Sequence, residues 1–110
     1  MWETSCVRIK LRPGSIERVR EWAAEINRRH EEALETLRDE GVMVESAFLD
    51  SSEEGDFLVY YMKAADIRKA GETGKSSTHA IDEYHRQFKR DTFESGRKLE
   101  LLVDLERFEG

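Results

Sequence analysis

The chain has 110 residues, 38% of them hydrophobic and 38% charged, enough to bury a core without disulfides or metals. Its 24 acidic and 18 basic side chains leave a net charge of −6, which repels a phosphate backbone and anionic lipid. A single cysteine, Cys6, excludes an internal disulfide and a cysteine-based metal site. The first residues lack a basic stretch followed by an apolar run, and no apolar run approaches the ~20 residues that span a bilayer. A cytoplasmic location and one domain over residues 1–110 are the expectation.

Residues 6–12 alternate, with Val7, Ile9 and Leu11 on one side and Cys6, Arg8, Lys10 and Arg12 on the other. Period two with one apolar face predicts a half-buried strand. Pro13 and Gly14 stop it, and Ser15 is placed to cap a following helix. Across 16–40 the apolar residues Ile16, Val19, Ala23, Ile26, Ala33, Leu34 and Leu37 recur at helical steps. They predict one long helix with a buried stripe, Trp22 beside it, an Arg28–Glu32 pair on the wet side and Gly41 as its terminator.

Residues 42–50 read as a second strand, with Val42, Val44 and Phe48 on one face and Met43, Glu45, Ala47 and Leu49 on the other. A polar turn at 51–56 leads to a third strand at 57–63, apolar or aromatic on both faces and therefore central. A short helical turn is expected at 64–70 and a flexible loop at 71–77. A second long helix is expected over 78–93, ended by Ser95-Gly96. Alternation of Leu99, Leu101, Val103 and Leu105 predicts a fourth strand over 99–106. The order is that of an α+β, ferredoxin-like βαββαβ domain, a four-stranded antiparallel sheet with two helices on one face.

Leu11-Arg12-Pro13-Gly14 followed by a helix carrying Val19 and Trp22 is similar to small domains of the dimeric α+β barrel superfamily, which includes the antibiotic-biosynthesis monooxygenases. The segments Val44-Glu45-Ser46-Ala47-Phe48, Phe57-Leu58-Val59-Tyr60-Tyr61-Met62 and Ile81-Asp82-Glu83-Tyr84-His85 look more like one bacterial family of unknown function within or near it. The resemblance implies a homodimer whose open sheet faces pack around a cavity. Its relatives include cofactor-free oxygenases, haem-degrading enzymes and isomerases. It supplies no catalytic residue for this chain.

Chemistry concentrates on the second long helix. Ile81, Tyr84, His85 and Phe88 share one helical stripe, so His85 faces inward. It is either a general base with a shifted pKa or a buried imidazole bonded to backbone or to Tyr60 or Tyr61. Asp82, one turn earlier, is placed to orient it. His79 lies roughly 120° away around the helix and cannot share a metal with His85. The segment from Gly71 to Ser76 lacks the glycine spacing of a phosphate loop. On the free sheet face, Cys6, Arg8 and Lys10 are expected beside Glu100, Leu102 and Asp104, joined by Glu45 and a tyrosine. These groups line a ligand cavity between two subunits or form the solvated side of the sheet.

Two functions remain open: a cofactor-free oxygenase- or isomerase-like enzyme on a small organic molecule, or a non-catalytic ligand-binding or structural homodimer module. In the enzyme, His85 is the base, and Tyr60, Tyr61, Arg8 and Asp82 position or polarise the substrate. No cofactor and no metal is expected. A cavity beside His85 favours the enzyme, and a packed, satisfied His85 favours the module.

Overall fold

A computed structural model describes residues 2–107. Strand β1 (Glu3–Leu11) is followed by helices α1 (Ile16–Arg28) and α2 (His30–Glu40). Strands β2 (Val42–Ser52) and β3 (Gly55–Ala64) form a hairpin, then come α3 (Ile67–Ser76), α4 (Ala80–Thr92) and β4 (Phe93–Lys98). The strands make one antiparallel sheet in the order β2-β3-β1-β4. The fold is α+β and ferredoxin-like.

The inner face follows from alternation. Val7, Ile9 and Leu11 on β1 and Leu58 on β3 pack against Val19 and Trp22 of α1 and Phe88 of α4. Trp22, expected beside the stripe, is buried within this core. A smaller cluster of Val42, Ala64 and Ala70, with Leu37, Met62 and Ile67 around it, holds α2 and α3.

Several expectations are corrected. The long helix is two, because Arg29 takes φ −101° and ψ 39°. From Asn27 to Glu32 every residue is polar, so no buried contact enforces a straight axis there. Arg28 pairs with Glu25 at 2.7 Å rather than with Glu32, which binds Arg29 at 2.8 Å. Ser15 precedes α1 without side-chain capping, and its hydroxyl donates to the Arg12 carbonyl at 2.6 Å. Gly41 ends α2 in the left-handed region at φ 71°, where glycine escapes the Cβ clash.

The segment expected as a flexible loop is most of α3. Asp66 caps that helix by accepting from the Lys69 N–H at 3.0 Å, while Glu3 accepts from the Ile67 N–H at 2.8 Å. Ala70 then docks against Val42 and Ala64. These contacts outweigh the low helix propensity of Gly71 and Gly74.

The fourth strand comes earlier than its apolar alternation suggested. Ser95 and Gly96 do not end α4 in a turn but lie within β4, opposite Lys10 and Ile9. The ladder starts where α4 stops: Arg12 N–H donates to Thr92 O at 2.8 Å, and Phe93 packs edge-on against Phe88. Residues 99–107 have no regular secondary structure.

In β2 a bulge between Val42 and Val44 breaks the expected alternation. Val42 faces the helices with Ala64, Val44 faces outward with Lys63, and Met43 is the extra residue. Glu45, Ala47 and Leu49 then share the helix side, so Glu45 does not join the free face.

Candidate functional site

The nominated residues divide between the two sides of the sheet. Arg8 and Tyr61 point to the open face, while Tyr60, Asp82 and His85 belong to the helix side.

His85 is packed among rings. It lies 5.6 Å from the Trp22 centroid, 6.1 Å from Tyr60 and 6.3 Å from Phe88. Its Nδ1 accepts a hydrogen bond from Trp22 Nε1 at 3.1 Å, which leaves the proton of the neutral imidazole on Nε2. Burial pushes its pKa down to about 4, and Lys89 and Arg86 add to the effect. His85 is therefore neutral at pH 7 and presents an N–H, with its lone pair already engaged. Asp82 does not orient the ring; it accepts a hydrogen bond from Ser77 instead.

Beneath α2 and α4 lies a polar cluster. The Tyr60 hydroxyl donates to Glu45 Oε1 at 2.5 Å across the inner face. Burial raises the Glu45 pKa, against the Tyr60 hydrogen bond, and raises that of Tyr60 well above its ordinary value together with the Glu45 charge. Burial pushes Glu40 up to about 7, with Glu45, Asp82 and Asp39 acting in the same direction against Lys89. Burial lowers the pKa of Lys89, which Glu45 and Glu40 oppose.

Glu40 and Asp82 line a cavity of about 270 Å³ where α2, α3 and α4 meet, together with Thr36, Thr73, Ser77 and His79. Polar links hold its walls. His79 Nε2 lies 2.7 Å from Asp39 Oδ2, and that bond raises the histidine pKa. Arg86 donates to the carbonyls of Gly74 at 2.7 Å and Ser77 at 3.0 Å. The cavity can hold a small polar molecule, and Glu40 can accept or donate a proton near pH 7. Among the described residues no group of three or more His, Cys, Asp or Glu side chains is arranged to hold a metal ion.

Sequence reasoning missed Glu40 and Lys89. Lys89 follows His85 by one turn, as His85 follows Ile81, so the inner stripe already pointed to it. Glu45 shares its phase with Ala47 and Leu49, a sign of the covered side. Glu40, the last residue of α2, carries no such mark.

On the open face, Arg8 stacks over Phe57 with its guanidinium carbon 3.5 Å from the ring centroid and reaches Asp50 at 3.3 Å. Residues 99–107 cross this face. The Leu99 N–H donates to Cys6 O at 2.8 Å, and Thr4 Oγ1 donates to Asp104 Oδ2 at 2.7 Å. Lys63 Nζ binds Asp104 at 2.9 Å and Glu106 at 3.0 Å. A cavity of about 320 Å³ lies between this segment and Thr4, Cys6 and Tyr61. Neither cavity is lined by His85. Phe48, at 61% exposure, and Leu101, Leu102, Val103 and Leu105, at 55 to 90%, leave apolar surface in water.

The fold is similar to that in a solved structure titled "Structure of Rv0793 from Mycobacterium tuberculosis", with a TM-score of 0.53 and 18% identity. The match covers 96% of this chain and 100% of that one. No curated protein matches the sequence. Over residues 2–110 the chain matches the model of DUF6176, and it belongs to that family, whose function is unknown.

Proposed function

We propose that the protein is a non-catalytic homodimeric binding module of the dimeric α+β barrel type, joined through the open face of its sheet. The observation that carries this reading is the exposure of large apolar side chains on the open side, Phe48 on β2 and Leu101, Leu102, Val103 and Leu105 on the segment that crosses the sheet. The packed state of His85, with its Nδ1 satisfied by Trp22, supports the same reading. Arg8 and Tyr61 then border the subunit interface, where they contact a bound molecule.

Sedimentation at micromolar concentration tests it. The expected species has twice the 12.9 kDa of one chain, and Phe48→Glu returns it to one. A 12.9 kDa species alone removes the module in this form.

A second reading, a cofactor-free isomerase-like enzyme, is favoured by Glu40, a carboxyl raised to about 7 on the wall of the cavity between α2, α3 and α4. In it Glu40 transfers the proton, Asp82 positions the substrate, and Tyr60 and His85 act from behind the cavity wall. A Glu40 carboxyl that titrates in the ordinary range by carbon NMR ends this reading.

A further inference from the structure

The open face carries a feature independent of any second copy. After β4 the chain leaves the sheet edge and arches across β1 to β3. Within one chain, apolar burial does not account for that path, since Leu102 is 81% exposed, Val103 71% and Leu105 90%. What meets the sheet at the far end is charge. Lys63, only 4% exposed, holds both Asp104 and Glu106, and Thr4 adds a hydrogen bond to Asp104.

We propose that residues 99–107 are a latched strap over the open sheet face, closed by Lys63 on Asp104 and Glu106, and that opening this latch controls access to the cavity above Cys6 and Tyr61.

The physics favours a reversible closure. Lys63 is covered by the segment that carries its own counter-charges. When the strap lifts, ammonium and carboxylates return to water together, and no ion is left buried alone. Removing only the carboxylates or only the ammonium breaks that match and weakens closure. Local openings of this kind lie at the low end of a protein's stability range.

Cys6, the one thiol of the chain, lines the cavity under the strap and reports on it. The experiment is the rate at which a bulky maleimide labels Cys6 in the full chain at neutral pH, with the urea-unfolded chain as the upper limit. Lys63→Met is expected to raise the rate about tenfold, and Asp104→Asn with Glu106→Gln to do the same. A rise of about threefold or more in a variant that keeps the native circular dichroism carries the proposal, and a smaller rise overturns it. Should Lys63→Met fail to fold, the carboxylate pair variant decides by the same threshold. Rates taken at low and high protein concentration separate the strap from a second copy. Slowing with concentration that persists in Lys63→Met reports dimer contact, whereas the latch acts equally at both.

Discussion

The two faces of this sheet solve the problem of polar groups in opposite ways. On the helix side, polar atoms sit inside a packed core and are satisfied locally, as when Trp22 donates to His85 and Tyr60 to Glu45. On the open side, charges are matched across the surface, Arg8 by Asp50 in reach of water and Lys63 by Asp104 and Glu106 of the segment that crosses it. Burial shifts the pKa values of His85, Glu45 and Tyr60 in the first set, whereas the second set is held by ion pairs with groups on other segments.

The sharpest way to break this contrast is to open the core. Phe88→Ala removes a side chain with 0% exposure that stacks on Trp22 at 4.4 Å, and urea unfolding should show a loss of ~3–5 kcal/mol. A loss below about 1 kcal/mol would mean that the helix side is not the packed face. Next in size, Trp22→Phe takes the donor from His85 Nδ1 and should cost ~1–3 kcal/mol in the same measurement. Nitrogen NMR should then show His85 leaving the single Nε2–H tautomer, which a simple packing role would not require.

The smallest effect concerns Glu40. Its native carboxyl keeps a proton up to about 7, against an ordinary value of 4.5. The native state therefore binds more protons over that interval, and its stability falls as pH rises through it. Glu40→Gln should flatten this slope and gain on the order of 1 kcal/mol at about pH 8, after allowance for solvent screening at a partly buried site. An unchanged slope in thermal melts would assign the pH dependence elsewhere.

Much of the frame was legible in the residues. Period two placed Val7, Ile9 and Leu11 inward, and the stripe of Ile81, Tyr84, His85 and Phe88 fixed the inner side of α4. What escaped were features decided by tertiary contacts. The break at Arg29 reflects an absence of buried partners, which a count of helical steps does not register. Helix α3 depends on Asp66 and on a partner strand for Ala70, and its glycines pointed to a loop. The apolar alternation of 99–105 describes a segment held by charge, while the polar β4 pairs because α4 ends beside Leu11. Of the buried polar groups on the helix side, His85 and Tyr60 were named, but the Trp22 bond joins residues 63 positions apart. Glu40 needed the approach of α3 to gain its cavity.

The bulge at Met43 has a consequence for how this chain can vary in length. Met43 is the residue the ladder skips, so a deletion there would restore plain alternation with Val42 still opposite Ala64 and Glu45 opposite Met62, whereas an inserted residue would put Val42 and Glu45 out of phase. Val42 would then leave Ala64 and Ala70, or Glu45 would leave Tyr60. A single-residue insertion is thus barred from this short run and a deletion is not, while the turn at Glu53 and Glu54 can absorb both kinds of change without disturbing the faces.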